Sequence, residues 1–239
     1  EETLDTHVYL NNDGTKTLYC YDHPVQYLDE QGKMCDISLD IADTTDVKYP
    51  FRTKANSAVT FFPASLSDGV KLSGNGVELR LAAQLPLSTN KKQSVRRLND
   101  QTVSYTYDAN TTIEYTLTYT GFKEDIVVNS YTGQTEYSFV LYTNGLTLTE
   151  LDGSYYLTDD AGDIQASIGD VIVFTADERN NTFGQMRAET IEPKQQYSMT
   201  IVLDAEYLAD PKINGNDFGT YTIVYKDSNI SKECAQEIA

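Results

Sequence analysis

The sequence predicts an all-β protein: an antiparallel, sandwich-like fold of two packed sheets with hairpin elaborations and little helix. Three observations carry that expectation. The dominant hydrophobic period is two: in Ser104–Tyr107 and Thr112–Tyr119 apolar and polar residues alternate, which sends one set to a core face and the other to water. The chain holds 28 Thr and 18 Tyr but no Trp, and Thr with Tyr suits a half-solvated pleated surface. Turn signals recur at short intervals with no long helical pattern between them, which is the spacing of antiparallel hairpins rather than of βαβ units.

The elements follow in order. Val8–Leu10 and Leu18–Tyr21 flank the turn Asn11-Asn12-Asp13-Gly14. Val25–Leu28 and Met34–Ile37 flank Asp29-Glu30-Gln31-Gly32-Lys33. Strands are then expected at Ala58–Phe62, Val70–Leu72 and Val77–Ala82. After the two alternating segments come Lys123–Val128, Tyr137–Tyr142, Leu146–Leu151, Ser154–Leu157, Ile164–Ser167 and Val171–Thr175, a meander of hairpins. Asn144-Gly145 predicts a type I′ hairpin turn within it, because both residues tolerate positive φ. Asp152-Gly153 and Asp159-Asp160-Ala161-Gly162-Asp163 continue the series. Gln185–Thr190, Gln196–Asp204 and Gly219–Tyr225 complete it. Helix is confined to one or two turns at Leu203–Leu208 and a short segment in the 227–239 tail, where Ser231 is a cap candidate. The expected organisation is a single large β domain over 1–226. A possible subdomain division lies near 88–100, where Lys91–Arg97 forms the one basic cluster.

Composition narrows the class. With 36 acidic and 18 basic side chains, the net charge is −18. That balance opposes a nucleic-acid surface and adsorption on anionic lipid, both of which need concentrated Lys and Arg. No apolar run reaches the length of a membrane span, so no membrane insertion is expected. Three cysteines cannot all pair. Cys20 and Cys35 lie in neighbouring predicted strands, which leaves two readings: a bridge, or two small apolar side chains on a sheet. Cys234 falls in the polar tail. No charged n-region with a following apolar h-region opens the sequence, so it is read without a signal peptide.

No motif names a reaction. The two histidines, His7 and His23, form no metal-like pair and read as loop or surface residues. There is no Gly-x-Ser-x-Gly and no Gly-rich phosphate loop. Pairing Cys20 or Cys35 with a histidine has no support. The many carboxylates form accidental pairs, so a glycosidase pair cannot be singled out. Asp159–Asp163 and the group Asp204, Glu206 and Asp210 are calcium candidates that fail the EF-hand spacing, and a solvated turn is their default reading. Tyrosine is the surplus to explain. Tyr19 with Tyr21, Tyr105 with Tyr107, and Tyr115 with Tyr119 each share a strand face. They are either core and edge residues or an exposed platform that stacks on sugar rings.

Several segments, in order, carry a resemblance. They are Val8–Thr15, the hairpin Pro24–Lys33, Lys54–Pro63, Val103–Tyr119 with Gly121–Asn129, the strand–turn–strand run to Phe174, and Tyr207–Pro211. Together they resemble the N-terminal β-rich region of secreted or wall-associated Firmicutes proteins that carry DNRLRE modules and Rhs/YD repeats. Cys35 stands where an aliphatic is usual, and Tyr221–Asp227 replaces the family's exit segment. The resemblance implies an extracellular or cell-surface β-module with neighbouring domains in a larger chain, and no catalytic residues or cofactors. The leading expectation is therefore a non-catalytic structural or adhesion module whose partner is a cell-surface polysaccharide or protein. The alternative is a carbohydrate-binding module using exposed Tyr, which predicts coplanar Tyr rings on one sheet face. The third is a carboxylate-pair glycoside hydrolase, which predicts a deep cleft holding an Asp/Glu pair.

Overall fold

The computed structural model describes residues 3–74, 76–85, 95–174, 181–210 and 220–225. Two hairpins open the chain: β1 (Thr6–Leu10) with β2 (Lys16–Cys20), and β3 (Gln26–Leu28) with β4 (Met34–Asp36). Five strands follow, β5 (Ser38–Asp43), β6 (Phe51–Ala55), β7 (Val59–Phe62), β8 (Val70–Gly74) and β9 (Val77–Ala83). Then come β10 (Arg96–Arg97), β11 (Thr102–Thr106), β12 (Thr111–Thr118), β13 (Gly121–Val128) and β14 (Glu136–Tyr142). The rest are β15 (Thr147–Leu151), β16 (Ser154–Thr158), β17 (Ile164–Ile168), β18 (Ile172–Phe174), β19 (Asn181–Phe183), β20 (Gln185–Glu192), β21 (Gln196–Val202), the helix α1 (Ala205–Ala209) and β22 (Thr220–Tyr225).

The main strands form two antiparallel sheets, so the fold is the all-β, sandwich-like architecture the sequence predicts. One sheet runs β20-β21-β14-β9-β8-β7-β6-β5. The other runs β10-β11-β12-β13-β22-β17-β16-β15, with β18 and β19 beside β22. Period-two patterning sets the faces: β12 alternates buried and half-buried residues along its whole length, and β14 and β21 do the same from their second residues. The buried faces merge into one cluster that includes Phe62, Leu72, Tyr105, Ile113, Tyr115 and Phe139.

Side chains also tie the two sheets together. The buried Tyr105 hydroxyl donates to the Pro63 carbonyl at 2.8 Å, and the Tyr107 hydroxyl to the Gln84 carbonyl at 3.2 Å. Asn56 Nδ2 donates to the Tyr119 carbonyl at 2.8 Å, while Asn56 Oδ1 accepts from Ala58 N. Each satisfies a backbone group that burial would otherwise leave costly.

Four expectations change. Asn144 and Gly145 both have positive φ, as read, but they do not close a hairpin. They carry the chain from β14 in one sheet to β15 in the other, and Gly145 N donates to the Lys194 carbonyl instead. The run 123–175 is therefore not a single meander. Strands β5, β6, β10 and β19 have no counterpart in the expected list; a register shift in β5 breaks its alternation, and β6 buries Thr53 where an apolar residue would be looked for. Cys20 and Cys35 are free thiols on separate hairpins, so no bridge joins them. The short helix begins at Ala205, two residues later than read, because the Asp204 side chain caps it by accepting from Glu206 N and Tyr207 N. The 227–239 tail, Cys234 and most of the basic cluster lie outside the described residues. Among the described residues no helix is long and apolar enough to cross a membrane.

Candidate functional site

Two surfaces stand out, on different parts of the fold. The first is the β1–β2 hairpin. Pairing puts His7 opposite Tyr19 and Val8 opposite Leu18, so the two faces differ. One carries His7, Tyr9, Thr17, Tyr19 and, just beyond the strand, Tyr21; the other carries Thr6, Val8, Leu10, Lys16, Leu18 and Cys20. Tyr9, Leu18 and Tyr19 are each about half exposed, and Leu10 is 72% exposed. A solvated two-stranded hairpin ordinarily keeps polar side chains on at least one face. This one carries exposed large apolar side chains on both faces, with Lys16 opposite Leu10 and Thr17 opposite Tyr9 as the polar residues among them.

The aromatic face continues as a chain of ring contacts. Tyr19 meets Tyr9 at 5.5 Å, Tyr9 meets His7 at 6.0 Å, and His7 meets Tyr21 at 5.8 Å. Tyr21 meets His23, and His23 packs on Tyr119 of the β12–β13 turn at 4.2 Å. His23 Nδ1 also meets Asp22, and His7 Nδ1 lies 3.9 Å from Asp36 of β4. Both histidines thus sit in one strip, where the sequence read them as loop or surface residues. The Tyr9–Tyr19 and His7–Tyr21 planes cross at 86° and 88°. These rings meet edge to face and do not form the coplanar platform that stacking on a sugar would require.

The other paired tyrosines go elsewhere. Tyr105, Tyr107 and Tyr115 are core residues. Burial raises the Tyr105 and Tyr107 phenols, and pushes the Tyr137 phenol up to about 12.

The second surface is the outer face of the eight-stranded sheet. One cross-strand row runs Arg52, Phe61, Lys71, Arg80, Tyr142 and Gln196, each residue directly opposite the next. The residues alternating with them, such as Phe62, Leu72, Leu81, Leu141 and Tyr197, are buried, so the row points away from the core. Arg80 sits over Tyr142, its Cζ 3.5 Å from the ring centroid, with one amino group donating to the Asp68 carbonyl at 3.1 Å. Lys71 Nζ sits 4.5 Å over Phe61 and 3.5 Å from Glu78. At the Tyr142 end the row opens into a cleft of about 270 Å³ lined by Glu78, Arg80, Tyr142, Asn144, Glu192 and Gln196, among others. No single stretch of sequence shows this row, because its members are spread over six strands.

The calcium candidates are occupied by turn chemistry. Asp159 Oδ1 accepts from Ala161 N and Asp163 N, both at 2.9 Å, and its other oxygen accepts from Gln165 Nε2. Asp160 pairs with Lys194, whose ammonium lowers its pKa. Asp204 is the helix cap. Among the described residues no three or more His, Cys, Asp and Glu side chains are arranged to hold a metal ion.

No protein-family model matches the chain, and no curated protein does. Among solved structures the chain is similar to a family 81 glycoside hydrolase from Clostridium thermocellum, at 12% identity with a TM-score of 0.39. The match covers 78% of this chain and 26% of that one, so the chain spans about a quarter of that enzyme.

Proposed function

We propose that the chain is a non-catalytic interaction module of a larger secreted or cell-surface bacterial protein, with the β1–β2 hairpin as its docking element for a protein partner. The observation that carries this reading is the exposure of large apolar side chains on both faces of the hairpin, Tyr9 and Tyr19 on one and Leu10 and Leu18 on the other, with Leu10 72% exposed. Exposed Tyr and Leu on a projecting element are the material of interface anchors. A two-stranded ribbon is marginal by itself, so covering it adds stability to the complex. The order of motifs resembling the Firmicutes surface module supports the location.

The test is a pelleting assay with intact Gram-positive cells and the fluorescently labelled full chain. Binding is expected to saturate, to vanish after the cells are shaved with protease, and to fall at least roughly tenfold in L10K/L18K, about 1.4 kcal/mol. Binding that survives both shaving and the substitutions would overturn the docking role. Release of reducing ends from a polysaccharide panel would overturn the non-catalytic reading.

A further inference from the structure

The outer row of the eight-stranded sheet gathers cations in a strongly acidic chain. From Arg52 to Gln196 it holds three cations and no carboxylate, with Lys71 paired to Glu78 beside the row and Glu192 opposite Gln196 at its end, in a chain of net charge −18. Arg52 is exposed and makes no ion pair among the described residues. Arg80 has none either; Tyr142 and the Asp68 carbonyl hold it in place. A guanidinium stacked on a ring keeps its N–H edge available for a carboxylate, and the stacking fixes its plane in advance.

From this geometry we infer a binding site for a linear acidic polysaccharide, one bearing uronate carboxylates, laid across the strands along the row. The length suits a polymer: five strand-to-strand steps of about 4.8 Å make roughly 24 Å from Arg52 to Gln196. The cations meet the carboxylates. The cleft at the Tyr142 end meets the hydroxyls, since Glu78 and Glu192 accept from them and the carboxamides of Asn144 and Gln196 both donate and accept. A neutral sugar would leave Arg52 and Arg80 unused, and an acidic peptide offers no row of hydroxyls for Glu78 and Glu192 to accept from. No residue of the row belongs to the β1–β2 hairpin, so this site and the protein-docking role fail independently.

The experiment is calorimetric titration of the full chain with oligogalacturonate, a neutral cello-oligosaccharide of equal length, and polyglutamate. Saturable binding of oligogalacturonate is expected, at least roughly tenfold tighter than either of the others. R52Q carries the main test, because Arg52 is exposed and its loss leaves the fold intact; it is expected to weaken binding several-fold. R80Q is expected to weaken binding further, read alongside its melting temperature. R187Q, on a different row of the same sheet, is expected to bind like the parent. Cello-oligosaccharide bound as tightly would overturn the acidic assignment, and polyglutamate bound as tightly would overturn the saccharide assignment. No binding of oligogalacturonate, or binding unchanged in both R52Q and R80Q, would overturn the site itself.

Discussion

Tyr105 places a phenol at 1% exposure and gives its one proton to the Pro63 carbonyl across the sandwich. Tyr105→Phe keeps the ring and deletes that bond, leaving a buried carbonyl without its donor. The expected cost is about 1–3 kcal/mol, read by urea denaturation. Tyr137 gives a pH signature. Its phenol titrates near 12 in the folded chain, against 10.0 when solvated. The raised value means that the folded state holds its proton more tightly. The contribution is therefore fully present below pH 10 and is lost as pH rises through 12. Two units correspond to about 2–3 kcal/mol. A urea series at increasing pH is expected to show stability falling across that window, and less steeply in Tyr137→Phe. That Tyr105 and Tyr107 share a strand face was legible from period two, whereas the pairing of Tyr115 with Tyr119 fails because β12 ends at Thr118 and Tyr119 lies in the turn to β13. Which face was inner was not legible, because a tyrosine fits a core or a wet edge equally well until the opposing sheet is in place.

At the scale of elements, three hairpin loops share one design. In Asn11–Thr15, Asp29–Lys33 and Asp159–Asp163 the first residue's N–H donates to the carbonyl of the fifth, and the fourth, a glycine at φ 82°, 74° and 82°, donates back to the first. This is the three-residue loop with a left-handed glycine closing it. Asp29 and Asp159 add a carboxylate that accepts loop N–H groups, which lowers the Asp29 pKa. The acidity at Asp159 is thus explained by the turn. Millimolar calcium is expected to leave the melting temperature unchanged, while Asp159→Ala is expected to lower it, since three donors lose their acceptor. Gly74 answers to a different constraint. A Cβ there would stand 2.5 Å from the Ser57 carbonyl oxygen, so Gly74→Ala has to move backbone. An expected loss of about 1–3 kcal/mol in thermal unfolding follows. Turn chemistry was legible in the sequence because it is local. Asn144-Gly145 shows the limit: its φ signs follow from its residues, whereas the strand reached afterwards depends on the buried Leu146 and on the 194–195 backbone that receives the turn.

At the scale of the whole molecule, local pattern identified the sandwich and missed both surfaces. The row from Arg52 to Tyr142 exists only after four strands from 51–83 pair with one another and with a fifth from 136–142. The hairpin's two faces were legible as alternation, but its lack of cover was not. That lack of cover has a dynamic consequence. The hairpin is joined to the β3–β4 segment by the Val25 N to Leu4 O and Gln26 N to Leu4 O bonds and by His7 beside Asp36, and to the sandwich by the packing of His23 on Tyr119. The central strands, by contrast, pair on both sides and bury one face completely. Segments with few buried contacts open at free energies well below the global value. Hydrogen exchange is therefore expected to show residues 6–20 exchanging far ahead of β12 and β13. His23→Ala removes the ring contact and leaves the sheets untouched. It is expected to speed exchange in β1 and β2 while leaving the protection of β12 and β13 unchanged. Equal acceleration in both regions would show instead that the hairpin unfolds only with the sandwich, as part of its cooperative core.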